Sequence, residues 1–202
     1  MAALGLQFDD AAIDRLLAYL DLLHKWNRHY NLSAVRDRQQ MLRLHLLDCL
    51  AVVPSLDRRL PAGGVRILDV GSGGGLPGVV LALLRPGWSV SCADAVAKKA
   101  AFIRQVASEL RIENLSAEHA RVESLTLPPF DLVVCRAFSS LTDFCVLTRR
   151  HLAPGGLWLA MKGRVPHEEM ASLPADVDVF HVEQLQVPGL DAQRCLVWMR
   201  PR

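Results

Sequence analysis

The stretch VRILDVGSGGGLPG, Val65 to Gly78, constrains this chain more than any other. Val65, Ile67, Leu68 and Val70 form an apolar run of the length of a buried strand. Gly71, Gly73, Gly74, Gly75 and Gly78 follow. Pro77 suits the first turn of a helix, where a missing N–H costs nothing, and GVVLALLR continues as that helix. The unit is therefore strand, glycine turn, helix N-terminus. A tight turn alone needs only one or two glycines. More of them let a ligand approach the backbone, and the helix end offers N–H groups to an acceptor-rich ligand.

Gly73, Gly75 and Gly78 satisfy the G-x-G-x-x-G pattern of dinucleotide-binding folds, which alone is weak. Asp69, two residues before Gly71, points elsewhere. D-V-G-S-G-G-G resembles motif I of the Rossmann-like methyltransferases that use S-adenosylmethionine (SAM). Those enzymes place an acid at the end of the first strand and a second acid after the next. Here WSVSCA is the next strand and Asp94 follows it. A carboxylate there can take both ribose hydroxyls of an adenosine, which serves NAD and SAM equally.

The rest of the chain separates the two. Asp9 or Asp10 caps a helix to about Tyr30, with Ile13, Leu16, Leu17, Leu20, Leu23 and Trp26 inward. After the loop NLSAV, Asp37 caps a second helix with Met41, Leu44, Leu47 and Leu50 inward, ended by Pro54. Residues 1–60 are thus expected to be an N-terminal helical extension packed on a domain of residues 61–202. From Val65 onward strands and helices alternate, which predicts a mostly parallel sheet with helices on both faces. AKKAAFIRQVASEL is an amphipathic helix with Ala101, Phe102, Val106 and Leu110 inward. NLSAEHARVESL holds a third strand and its loop, and FDLVVC is a fourth. SSLTDFCVLTRRHL is a helix closed by Pro154-Gly155-Gly156, and a fifth strand ends near Lys162. DVFHVEQLQV and CLVWMR alternate, and PGLDAQR between them is short enough for a hairpin. An α/β sheet that finishes in an antiparallel hairpin is the methyltransferase arrangement. The chain has no length left for the further units of a dehydrogenase.

Its 202 residues allow one sizeable core with an appendage. A net charge of +2 permits nucleic acid as a partner without demanding it. The five cysteines, Cys49, Cys92, Cys135, Cys145 and Cys195, form no C-x-x-C and no zinc pattern. They are expected as small buried hydrophobes in a reducing, cytoplasmic compartment, with no metal. MAALGLQFDD has neither the basic region nor the apolar core of a signal peptide, and no charge-free run reaches membrane-spanning length.

Several segments together resemble the glucose-inhibited division protein B (RsmG) family of bacterial 16S ribosomal RNA guanine-N7 methyltransferases. They are HKWNRHYNLSAV (24–35), HLLD (45–48), LDVGSGGGLPG (68–78) and KKAAFIRQV (98–106). RVESL (121–125), CRAFSSL (135–141), MKG (161–163) and LDAQRCLV (190–197) complete the set. G-L-P-G after the glycine motif and R-A-F after the fourth strand are the more specific parts. Leu44 stands where the family usually carries a basic residue before its histidine, and Cys49 replaces the usual serine. The resemblance implies SAM as cofactor and 16S ribosomal RNA or the small ribosomal subunit as partner. It implies methylation at N7 of a guanine (guanine-527 in the family), by an enzyme expected to be monomeric. The alternatives are a SAM methyltransferase with another acceptor, a non-catalytic SAM-binding module, and an NAD enzyme.

By resemblance, Gly71, Leu76, Val122, Glu123 and Arg136 form the cofactor site, joined by Gly73 and, at the ribose, Asp94. Leu76 is a packing residue at the pocket edge. The loop of Val122 and Glu123 lies where an adenine edge would be met, although a loop carboxylate is commonly solvated. Arg136 follows FDLVVC at the strand edge where open α/β sheets bind ligands, and is the candidate catalytic residue. It can contact the SAM carboxylate or donate to guanine O6; the plain alternative is a surface ion pair. Cys135-Arg136-Ala137-Phe138 lacks the acceptor set of N/D-P-P-Y/F that base amino-group methyltransferases place there. Phe138 can stack on a base, but core packing suits it better. Lys162 can meet phosphate. Lys98, Lys99, Arg104, Arg111 and Arg164 can form a basic surface. His45 and Asp48, one helical turn apart, can form a proton-handling pair or a structural hydrogen bond. His24 and His29 are expected to be exposed.

Overall fold

The computed structural model describes residues 4–202, so the first three residues of the expected extension lie outside the described residues. Asp9 caps α1 (Asp10–Tyr30) by accepting from the Ala12 N–H at 2.7 Å. Leu16, Tyr19, Leu20 and Leu23 are buried, while Ile13, Leu17 and Trp26 are only half-buried. Asp37 caps α2 (Arg38–Met41) by accepting from the Gln40 N–H at 2.8 Å. The helix then widens into a π segment, Leu42–Leu47, before α3 (Asp48–Leu50). Ordinary helical spacing put Leu44 and Leu47 inward. The wider turns rotate the stripe, so His45, Leu46, Asp48 and Cys49 are buried and Leu44 and Leu47 half-buried. Pro54 does not end the helical region. It opens α4 (Val53–Asp57), in whose first turn a proline is tolerated.

The sheet has seven strands in the order β3-β2-β1-β4-β5-β7-β6. They are β1 (Arg66–Val70), β2 (Ser89–Asp94), β3 (Leu115–His119), β4 (Phe130–Cys135), β5 (Leu152–Lys162), β6 (Val177–Leu185) and β7 (Arg194–Pro201). The first five pair in parallel, and β7 is antiparallel to both β5 and β6. The expected α/β sheet with a terminal antiparallel hairpin is therefore present. One face, with Ile67, Val90, Leu132 and Leu159, shares a single apolar core with α1, α5 (Gly78–Leu84) and α6 (Ala97–Glu109). The other, with Leu68, Val70, Val133 and Trp158, is covered by α7 (Leu141–Thr148). On α6, Ala101 is exposed; Ala100 and Ile103 take the inward positions with Phe102 and Val106, and Leu110 lies half-buried beyond the helix.

Pro154-Gly155-Gly156 does not close a helix either. It lies inside β5, whose pairing with β4 shifts between Phe130 and Leu132. A Cβ at Gly156 would lie 2.9 Å from the carbonyl oxygens of Ala153 and Phe130, so this irregular stretch needs glycine. A short helix, α8 (His167–Ala171), follows β5. No helix among the described residues is long and apolar enough to cross a membrane.

The glycine turn divides its glycines by task. A Cβ at Gly78 would lie 2.4 Å from Cys92 Sγ and 2.9 Å from Asp69 Oδ2. Gly78 is thus required for close contact of α5 with the sheet. Gly78→Ala is expected to overpack this site by about 1–3 kcal/mol and lower Tm by about 2–12 °C. Thermal melts should show part of that loss recovered when Cys92→Ala is added; no recovery would place the strain elsewhere.

Candidate functional site

Strand register assembles the site. Asp69 pairs with Cys92 of β2 on one side and Val134 of β4 on the other. Just past the last paired residues of these rows come Gly71, Asp94 and Arg136. The chain reverses its direction of sheet growth between β1 and β4, where open α/β sheets form a ligand crevice.

The turn that follows β1 is already satisfied from within. Gly71 and Ser72 N–H groups donate to Ala93 O, those of Gly75 and Leu76 to Ser72 O, and that of Gly73 to Asp94 Oδ2. Gly78 N–H, at the start of α5, donates to Asp69 Oδ2 at 2.8 Å. Of the N–H groups expected to face a ligand at this helix end, that of Gly78 is instead taken by the protein's own carboxylate. What Gly71 and Gly73 offer is room. They have φ of 64° and 59°, and a Cβ on either would meet nothing within 4 Å. Tyr19 of α1 braces the turn, its hydroxyl donating to Gly74 O at 2.7 Å.

Asp69 is fully buried, and its Oδ1 has no partner among the described residues. Burial pushes its carboxyl up to about 7, against the opposing pull of Gly78 N–H and Arg136. Asp94 is 6 % exposed, accepts from Gly73 and Val96 N–H, and pairs with Lys99 at 3.3 Å.

Above the turn lies a cavity of about 230 Å³ lined by Gly71, Gly73, Leu76, Lys99, Arg136 and, from the N-terminal segment, Ser33 and His45. Four of the expected residues thus meet at one cavity. Leu76 is buried, as a packing residue should be. Val122 and Glu123 lie in a short turn after β3, outside that lining; Val122 is half-buried and Glu123 exposed. His151 Nε2 donates to Val122 O at 2.8 Å.

The N-terminal segment reaches Arg136 through a chain of hydrogen bonds. Buried Asn27 donates to Val35 O and accepts from Ser33 N–H. Ser33 Oγ lies 2.6 Å from His45 Nε2, and His45 Nδ1 lies 3.3 Å from Arg136 Nη1. A guanidinium only donates, so Nδ1 accepts and Nε2 carries the proton toward Ser33. Burial, and then Arg136, push the imidazole down to about 4, so His45 is neutral at pH 7. It does not bond to Asp48. Asp48 Oδ1 accepts from Arg194 Nε at 2.8 Å, and Oδ2 lies 3.7 Å from Arg136 Nη1.

A second cavity of about 330 Å³ shares the wall of His45, Arg136 and Ala137. Asp48, Lys162 and Arg194 line it beside the apolar Leu44, Met161 and Leu185. Lys162 pairs with Glu169 at 2.9 Å. Phe138 packs against Phe144 at a centroid distance of 5.7 Å. Among the expected basic residues, Lys98, Arg104, Arg111 and Arg164 are exposed. His29 is exposed but His24 is half-buried. Sequence reasoning missed Tyr19, Asn27 and Arg194. The signals were present, since Asn27 is a polar residue on an apolar helical stripe and Arg194 lies in LDAQRCLV.

The family profile described as GidB, rRNA small subunit methyltransferase G, matches residues 12–197. A protein of Leptothrix cholodnii described as Ribosomal RNA small subunit methyltransferase G is 60 % identical over 200 residues, covering 99 % of this chain and 92 % of that protein. Among solved structures, TrmN from Thermus thermophilus aligns with a TM-score of 0.61 at 20 % identity, covering 76 % of this chain and 48 % of that one. A SAM-dependent methyltransferase from Geobacter sulfurreducens, in complex with S-adenosyl-L-homocysteine, aligns with a TM-score of 0.54 at 14 % identity, covering 75 % and 90 %. At these identities the two structures establish the fold alone.

The two shifted groups give stability opposite pH dependences. Between about pH 4 and 6.5 the unfolded chain binds His45's proton and the folded chain does not. This contribution is fully present above 6.5 and lost as pH falls to 4, on the order of 3 kcal/mol in all. Asp69 is protonated in the folded chain but not in the unfolded one between about pH 4 and 7, so its contribution is lost as pH rises to 7. Relative to the parent, His45→Gln should therefore gain stability as pH falls below 6.5, and Asp69→Asn as pH rises from 4 to 7. Denaturant titrations across pH 4–8 check both slopes; parallel profiles for parent and variants would contradict the assignment.

Proposed function

Because the chain belongs to the GidB family of rRNA small subunit methyltransferase G, we propose that it transfers a methyl group from SAM to N7 of a guanine in 16S ribosomal RNA. The residues fit the cofactor. The open faces of Gly71 and Gly73 form a cradle that any Cβ would fill. Arg136 and Lys99 supply cations for a carboxylate, and Asp94 lies beside Gly73 where a ribose would rest. Leu76 walls the cradle, and Val122 and Glu123, in the turn after β3 and outside this lining, would meet the adenine. When bound, SAM supplies a methyl carbon on a sulfonium, open to attack by a nucleophile.

The observation that carries the choice of N7 is the condition of the ionisable groups at the site. Both nitrogens of His45 are engaged and its affinity for a proton is low. Asp48 is bound to two guanidiniums, and Asp69 is sealed beneath the turn. An amino or hydroxyl acceptor must lose a proton at some stage. Guanine N7 carries a lone pair and no hydrogen, so it needs no base. The work left to the chain is alignment, which excludes water and fixes the base against the first cavity. Arg136, shared by the two cavities, is suited to donate to guanine O6 beside N7.

Labelled SAM incubated with small-subunit RNA or particles lacking the modification tests this directly. The label is expected on N7 of one guanine; label on an amino nitrogen or a ribose oxygen would overturn it. Single-turnover rates should stay flat from about pH 6 to 8, with no histidine limb. Arg136→Ala should lose at least about a hundredfold in kcat/KM, on the order of 3 kcal/mol of transition-state stabilisation, even when assayed well below its Tm.

SAM and its demethylated product, but not NAD, should raise Tm, because they bind only the folded chain. Gly71→Asp should remove this shift by placing a side chain and a negative charge in the cradle. A shift unchanged in that variant would contradict the assignment of the turn.

A further inference from the structure

We propose that Asp48 is a positioning residue that holds Arg136 and Arg194 as a fixed pair of cations for the RNA substrate. Arg136 then meets the target guanine and Arg194 a phosphate beside it. The inference rests on reading the two cavities as the methyl-transfer site. Asp48 comes from the N-terminal helices, Arg136 from the end of β4 and Arg194 from the start of β7. The carboxylate is 6 % exposed and lies between the guanidiniums, 2.8 Å from Arg194 Nε and 3.7 Å from Arg136 Nη1. All three line the 330 Å³ cavity.

Arg136 uses Nη1 for Asp48, Leu44 O and His45 Nδ1. Arg194 uses Nε for Asp48 and Nη1 for Gln193 O. Among the described residues Nη2 of each has no protein acceptor and can meet one on a ligand, and the side chains remain 24 % and 23 % exposed. Arg136 also lines the first cavity, which puts it at the reacting base. Arg194 lines only the second cavity and opens β7 directly after the β6–β7 loop, which assigns it to the RNA backbone rather than to the reacting base. Without the carboxylate the two cations would repel each other and swing apart. Removing one partner of a pair this buried also costs stability, so the geometric consequence of Asp48 is read from turnover measured well below the variant's Tm.

Asp48→Asn keeps the shape and an acceptor oxygen but removes the charge. Three results are expected. kcat falls at least tenfold, while KM for RNA does not rise because the cavity gains one unit of positive charge. The salt dependence of RNA binding steepens, by up to about one unit of log–log slope. The Tm shift given by S-adenosylhomocysteine is kept. A merely structural role would lower Tm and bring no split between kcat and KM. Added to Arg194→Ala, where the repulsion is gone, Asp48→Asn should cost less than it does alone. Normal kcat in Asp48→Asn, additive effects, or activity fully restored by assaying well below its Tm would each overturn the inference. Loss of the underlying site reading is distinguishable, because Arg136→Ala would then also turn over normally.

Discussion

A single hydrogen bond, from the Gly78 N–H to the buried Asp69 carboxylate, underlies the rest of the site. It fixes the start of α5 against the end of β1 and so sets the path of the chain between them. Burying that carboxylate is unfavourable, as its elevated proton affinity shows. The helix N-terminus and Arg136 offset part of this. Because Ala93 O, Ser72 O and the carboxylates of Asp94 and Asp69 take up most of its N–H groups, the turn presents shape to a ligand while cations on its rim present charge. Arg136 and Lys99 are those cations.

The second constraint comes from the N-terminal helices. Tyr19 holds the turn from one side, and the Asn27, Ser33 and His45 chain reaches Arg136 from the other. The site therefore belongs jointly to the sheet and to the helices before it. The π segment matters here. An uninterrupted α-helix would carry Leu44 and Leu47 inward, whereas the wider turns bring His45 to both cavities and Asp48 to the second. The neutral state of His45 follows from the same geometry, since a protonated ring would face the guanidinium of Arg136 inside the protein.

Much of the fold was legible because it follows from local rules. The apolar runs, the Asp9 and Asp37 caps and the closing hairpin are encoded within a few residues of where they act. The placing of Gly71, Asp94 and Arg136 just past the ends of adjacent parallel strands was legible too, since each follows an apolar run in the sequence. What escaped depended on contacts between distant segments. Asp48 and Arg194 are 146 residues apart in the chain, and Tyr19 and Gly74 are 55 apart. The misplaced inward residues Leu44 and Leu47 trace to assuming a regular helical period. Pro154-Gly155-Gly156 was misplaced because an irregular strand and a helix stop share the same residues.

The glycine turn and the N-terminal helices together line one cavity that ends at Arg136, which the proposed function assigns to SAM. The most direct measurement is a crystal structure of the protein with S-adenosylhomocysteine. The account predicts the ligand's backbone-facing side against Gly71 and Gly73, Arg136 beside its sulfur end, and Ser33 and His45 on the opposite wall. A ligand bound away from the turn, or one that contacts the sheet while the N-terminal helices are displaced from it, would contradict the account.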